Sequence, residues 1–164
     1  STAPTTTLLA ELGAGRLDVA VVRHPAVLDG LAAGPVVLVP SWVLTPVEPR
    51  GGPGRRLPVA VRPREEAPAA HDLFVDTLAS RGRTVDTVVI SDERAGLALV
   101  AAGQAVLVTA DPTLAASGVT RRPATDPPLP LRLRVVWDAR GPAAEQSAGT
   151  AGLLVDALAR EAQR

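Results

Sequence analysis

The chain has 164 residues, with seventeen Asp plus Glu against seventeen Arg and no Lys, so its formal net charge is zero. A neutral chain has no global basic field with which to hold DNA or an anionic membrane. The absence of Cys excludes disulfides, thiolate metal sites and a Cys nucleophile. Two His, His24 and His71, are too few for a His-based metal cage, and no apolar run reaches the ~20 residues of a membrane span. With one Phe and two Trp in a chain that is 46% hydrophobic, the core must be aliphatic. The length fits one ordinary domain or two small lobes. The missing initiator Met, with no signal peptide in view, reads as an excised piece.

Thr5 to Ala14 reads as a short helix with Leu8, Leu9 and Leu12 on one face, stopped by Gly13 and Gly15. Thr5 is the expected N-cap. Leu17 to Val22 reads as a buried strand, and His24 to Gly34 as a loop or weak helix. Val36 to Val47 is a second β-rich stretch, broken by Pro40 and Pro46. The Gly51 to Arg56 run is a surface loop. A second series follows: strand 58–62, helix 68–81, strand 85–91, helix 92–102, strand 104–109, short helix 111–117 and strand 118–122. Gly82 and Gly103 are expected as left-handed stops of the two longer helices. Asp92 and Glu93 fall in a helix first turn, where negative charge is favoured. Leu129 to Trp137 alternates apolar residues with Arg132 and Arg134, the mark of a half-exposed strand. Ala143 to Gln163 closes the chain as an amphipathic helix. This alternation of helix and strand predicts an α/β fold with a mainly parallel sheet.

Enzyme motifs are missing. The sequence holds no P-loop, no GxSxG and no HExxH. Gly13 to Gly15 follows a helix, the wrong context for a dinucleotide fingerprint. His71-Asp72 could pair a base with its orienter, but both fall in the first turn of the 68–81 helix, where Asp is favoured electrostatically, and that structural role is the better reading. Three features point instead to a small anion. Thr5, Thr6 and Thr7 crowd a helix N-terminus. Arg23 follows the strand 17–22. Arg62, Pro63 and Arg64 follow the strand 58–62 in the same way, and α/β sheets bind ligands beyond the C-terminal ends of their strands. Arg presents a planar fork that matches a carboxylate. Simple capping by Thr5, and solvated surface charge at each Arg, are the plainer alternatives.

The stretch TTTLLAELGAGRLDVAVV, residues 5–22, resembles the first lobe of the effector-binding domain of LysR-type transcriptional regulators. Gly15, Leu17, Asp18 and the strand Val19 to Val22 carry the likeness. LALVAAGQAVLV, residues 97–108, resembles a helix end and following strand of that family. RPREEAPAAHD, residues 62–72, is similar to the start of its second lobe, in the branch sensing aromatic-pathway acids. GVTRRPATDPPLPLRLRVVWD is similar to its return strand. Ala105 stands where Gly is usual and Ala110 where Pro is usual, and the loop Glu48 to Arg56 departs from the family form.

The resemblance implies a two-lobe, type II periplasmic-binding-protein-like α/β fold, Rossmann-like in each lobe. It implies a partial first lobe over 1–47, lacking its first strand, helix and second strand. A crossover loop over 48–57, a second lobe over 58–124, and a return strand and helix over 125–164 that pack on the first lobe complete it. It implies a regulatory domain, not an enzyme, with no cofactor and no metal. The expected effector is a small organic acid in the inter-lobe cleft, held by Thr5, Thr6, Arg23, Arg62, Pro63 and Arg64. The full-length protein is expected to be a cytoplasmic homodimer or tetramer that reaches DNA only through a domain absent here, with no membrane partner. A periplasmic-type solute-binding protein, an enzyme on the same fold and a standalone interaction domain without a ligand are the rival readings.

Overall fold

The computed structural model describes residues 3–164. In chain order the elements are α1 (Thr5–Gly13), β1 (Val19–Arg23), β2 (Ala32–Ala33), β3 (Val37–Val39), β4 (Trp42–Pro46), β5 (Val59–Val61), a 3-10 turn (Arg64–Glu66), α2 (Pro68–Ala79), β6 (Thr87–Val89), α3 (Glu93–Ala101), β7 (Val106–Thr109), β8 (Val119–Pro123), β9 (Leu131–Trp137) and α4 (Ala144–Ala162). They gather into two compact units. The first holds the residues up to Val39, Glu65–Ala70 and Leu131–Arg164; the second holds Pro40–Arg64 and His71–Pro130. The chain therefore changes unit at Pro40, ahead of the boundary at 47 that the family resemblance implied. Pro40, without an N–H, divides one β-rich stretch into two strands. β3 pairs with β9, whereas β4 pairs with β7 and β8. Residues 125–130 likewise belong to the second unit and not to the return segment.

In the first unit β9 is the central strand. It meets β1 in register from Val19 opposite Trp137 to Arg23 opposite Leu133, and it meets β2 and β3 along its other edge. Every one of these pairs is antiparallel, so the expected mainly parallel sheet does not hold here. Parallel neighbours need a crossover connection between them, and β1, β2 and β3 each pair only with the returning β9. Leu12, Ala20, Val22 and Val136 are buried together where α1 covers one face, with Leu8, Leu9 and Leu17 packed around them. α4 packs against β9, β3 and β1. It comes so close that a Cβ at Gly34 would lie 2.9 Å from Val155 Cγ2.

The second unit has the strand order β6-β5-β7-β4-β8. Here β5 runs parallel to β6 and β7, joined through α2 and α3, and β4 runs antiparallel to β7 and β8. The sheet is mixed. Leu44, Ala60, Ile90, Val100, Ala105 and Leu107 form its core under α3. Both cores are aliphatic, and each buried Leu or Val contributes about 1.5–3 kcal/mol.

Helix ends follow local chemistry. α1 and α3 close with the same two bonds. Gly15 N–H donates to Leu12 O at 3.1 Å and Arg16 N–H to Glu11 O at 2.9 Å; Gly103 N–H donates to Val100 O and Gln104 N–H to Leu99 O, both at 2.9 Å. Gly15 and Gly103 have φ of 75° and 77°, the left-handed conformation this closure requires. Asp92 caps α3, accepting from Ala95 N–H at 2.8 Å. The expected short helix over 111–117 is absent. Asp111 Oδ1 accepts from both N–H and Oγ1 of Thr113, at 2.8 and 2.7 Å, a side-chain turn that competes with a helix. The Arg121 guanidinium then takes the carbonyls of Asp111, Pro112 and Leu114.

Candidate functional site

The start of α1 differs from the expectation. Pro4 occupies the N-cap position and no side chain caps the helix. Thr5 is therefore the first helical residue and not the cap. Its side chain is buried, and its Oγ1 accepts from Arg23 N–H at 3.1 Å, which ties the start of α1 to the end of β1. The first helical bond is Leu8 N–H to Pro4 O at 3.0 Å. The N–H groups of Thr5, Thr6 and Thr7 thus precede the helical ladder, at the positive end of the helix, and the first turn carries no acid. Thr6 is exposed, and its hydroxyl donates to the Glu65 and Glu66 carbonyls at 3.2 and 3.4 Å.

Sequence reasoning missed a group of basic side chains on the same sheet. His24 N–H donates to Arg132 O at 2.9 Å. Val22 stands opposite Arg134, so strand alternation places His24, Arg132 and Arg134 on one face. All three are half-buried. Arg134 Nε donates to Gly34 O at 2.8 Å. Burial, and then the charges of Arg134 and Arg132, hold His24 below the ordinary imidazole value. None of the three forms an ion pair among the described residues. The alternation of Arg along Leu131–Trp137 was visible in the sequence; its register against His24 was not.

In the second unit, Arg62 and Pro63 follow β5 directly and are half-buried. Arg64 is exposed, and its fork is engaged. Its Nε and Nη2 donate to the two carboxylate oxygens of Asp72 at 2.8 and 2.7 Å. That bond above all holds Asp72 down at about 2. Asp72 therefore faces Arg64 more closely than His71, whose Nδ1 lies 3.4 Å away. α2 starts at Pro68 and has no acid in its first turn, so the expected first-turn role of Asp72 does not hold; Asp72 sits one turn in and is paired with Arg64. Of the six predicted residues, the first unit holds Thr5, Thr6 and Arg23 together, and the second holds Arg62, Pro63 and Arg64. Among the described residues no three His, Asp or Glu side chains are placed to hold a metal ion, and no helix is long and apolar enough to cross a membrane.

Two α/β units, between which the chain changes four times, carry helix starts and Arg at strand ends and define a type II periplasmic-binding-protein-like fold. The profile of the LysR substrate binding domain matches residues 1–161. The chain belongs to this family, whose domains serve transcriptional regulators and not enzymes. Among solved structures it is similar to CbnR, a LysR family transcriptional regulator, with a TM-score of 0.70 at 15% identity, covering 99% of this chain and 58% of that one. A full-length OxyR variant from Pseudomonas aeruginosa gives 0.66 at 21% identity, covering 95% and 54%. An OxyR mutant from Corynebacterium glutamicum gives 0.72 at 23% identity, covering 98% and 52%. The chain spans between half and three fifths of the length of these three proteins. No curated protein matches it.

Proposed function

We propose that this domain senses a small organic acid and, within a longer LysR-type regulator, uses it to control transcription. The observation that carries the reading is the start of α1. It is a helix N-terminus without a side-chain cap or a first-turn acid, fixed by Thr5 against the end of β1, where Arg23 stands. Such an end attracts a carboxylate. Arg132 and Arg134 add positive charge to the same sheet, beside His24. Thr5 acts mainly by holding the Arg23 backbone, and Thr6 with Arg23 forms the accessible part of the seat. Arg62 and Pro63 are the matching candidates at the end of β5, with Arg64 available only by exchanging Asp72 for a ligand.

Family membership supports the rest of the proposal. DNA contact belongs to a part of the regulator outside this chain, in keeping with full-length CbnR solved with its target DNA. The protein works in the cytoplasm as a homodimer or tetramer. α2 has no fully buried residue and keeps Leu73, Phe74 and Leu78 half-buried, which suits a subunit contact. The family match favours this reading over a solute-binding protein or an enzyme.

A thermal-shift series with mono- and dicarboxylic acids tests the site. At least one acid should raise Tm saturably. Thr6→Glu supplies a carboxylate of its own and should abolish that response, whereas Thr6→Gln keeps it. If Thr6→Glu and Arg23→Ala both respond like the parent, the assignment is wrong.

A further inference from the structure

The second unit contains a cavity separate from the start of α1 and from residues 62–64. One face of its sheet is filled, with Leu44, Ala60 and Leu107 beneath α3. Strand alternation turns their neighbours to the other face. Val59 stands opposite Val106, and Val43 stands opposite Val108 and Arg122. These side chains floor a cavity of about 210 Å³, with Leu78 of α2 and Leu129 among its walls. Arg122 rises from the same face as the valines, and Arg83, ahead of β6 at the other edge of the sheet, also lines the cavity.

The charges around it do not cancel. Arg56 lines the cavity too, but its guanidinium donates to the Thr84 carbonyl at 3.0 Å. The acid Asp126 is held by Arg81 at 2.8 Å. Arg83 and Arg122 form no hydrogen bond or ion pair with any described residue, and Asp86 is the one further acid in the lining. Two exposed Arg forks thus stand over an apolar floor. That is the chemistry of a pocket that takes an apolar body and fixes it by one anionic group. The volume equals roughly seven waters at about 30 Å³ each. It is too small for a nucleotide and suits an acid of a few carbons.

We propose that this cavity is a second ligand site, for a small monocarboxylate whose chain lies on Val59, Val106 and Val108 and whose carboxylate meets Arg122 and Arg83. The site is independent of the reading of α1 and would give the domain two separately addressable ligand positions.

The test is a ¹H–¹⁵N NMR titration of the 164-residue chain with pentanoate as the probe. Amides of Val59, Val106 and Val108 should shift saturably. Pentanamide, equal in shape and without charge, should bind at least tenfold more weakly. Val108→Phe should fill the cavity and remove the saturable response. The double variant Arg83→Gln with Arg122→Gln alters only exposed side chains. It should lower pentanoate affinity several-fold in a spectrum otherwise unchanged, and it decides the matter if Val108→Phe does not fold. Equal binding of acid and amide, no saturable shift at the valines, or a double variant that binds like the parent would each overturn the proposal. Thr6→Glu separates the two sites, because it should leave the valine shifts intact whatever happens at α1.

Discussion

Arg64 grips Asp72 with both arms of its guanidinium, Nε on Oδ1 at 2.8 Å and Nη2 on Oδ2 at 2.7 Å, across the start of α2. The folded Asp72 is held at about 2, below its ordinary 3.8, first by the Arg64 hydrogen bonds. A depressed carboxyl adds stability that is complete above the unfolded value and is lost as pH falls through the folded one. The Asp72 carboxyl should therefore titrate near 2 by ¹³C NMR, and Arg64→Gln should return it toward 3.8. The stability gap between parent and Arg64→Gln should close on acidification through that window. Both side chains are about half exposed, at 58% and 46%, so added salt should narrow the gap as well.

Gly15 and Gly103 share a conformation and differ in surroundings, which makes them a controlled pair. Gly15 has φ of 75° and nothing within 4 Å of an added Cβ. Gly15→Ala should cost only the left-handed penalty, about 1–2 kcal/mol. Gly103 has φ of 77°, and its Cβ would meet Glu48 O at 2.6 Å and Arg50 N at 2.9 Å. Those are backbone atoms and cannot turn aside. Gly103→Ala should cost clearly more than Gly15→Ala in urea denaturation, and equal losses would refute the steric argument.

These two glycines also mark what the sequence makes legible. Helix stops at Gly15 and Gly103, the aliphatic core and most of the longer elements depend on neighbours in the chain, and local rules reach them, although Asp92, expected within the first turn, caps α3 instead. The change of unit at Pro40 depends on which strand accepts which partner, and alternation alone does not specify that. The stretch 111–117 reads as helical from its apolar pattern, but Asp111 bonds to Thr113 two residues on, and Arg121 from β8 takes the carbonyls that a helix would use. The candidate site divides along the same line. Thr5 and Arg23 stand out as a helix start and a strand end, yet their mutual bond needed coordinates. His24, Arg132 and Arg134 share a face only through the register of β1 against β9.

Arg121 satisfies three carbonyls of the loop 111–114 and also lies over the Trp42 ring, 5.1 Å from its centroid. Arg121→Ala should cost roughly 1.5–3 kcal/mol, the range for hydrogen bonds to a charged group. Arg121→Lys should recover little of it, because an ammonium lacks the planar fork that reaches several acceptors at once. Hydrogen exchange should quicken selectively at residues 111–118, and Trp42 emission should change in both variants. Rescue by Lys would show that charge, not geometry, holds the loop.

His24 gives a pH signature to the cationic face. Its folded pKa lies below the ordinary 6.5, through burial first, then Arg134, then Arg132. The neutral imidazole is thus the native form. Its contribution to stability is full above 6.5 and is lost as pH falls through the lower folded value. Replacing Arg134 with Gln should raise the pKa of His24 in an NMR titration, and adding Arg132→Gln should raise it further. Neither should restore it fully, because burial remains. A bound carboxylate beside this face would act in the same direction, since a nearby negative charge favours the imidazolium. Any acid that binds at the start of α1 should therefore raise the His24 pKa and take up protons between the old and new values. Calorimetry in buffers of different ionisation enthalpy measures that uptake. Binding with no change at His24 would place the acid away from His24, Arg132 and Arg134.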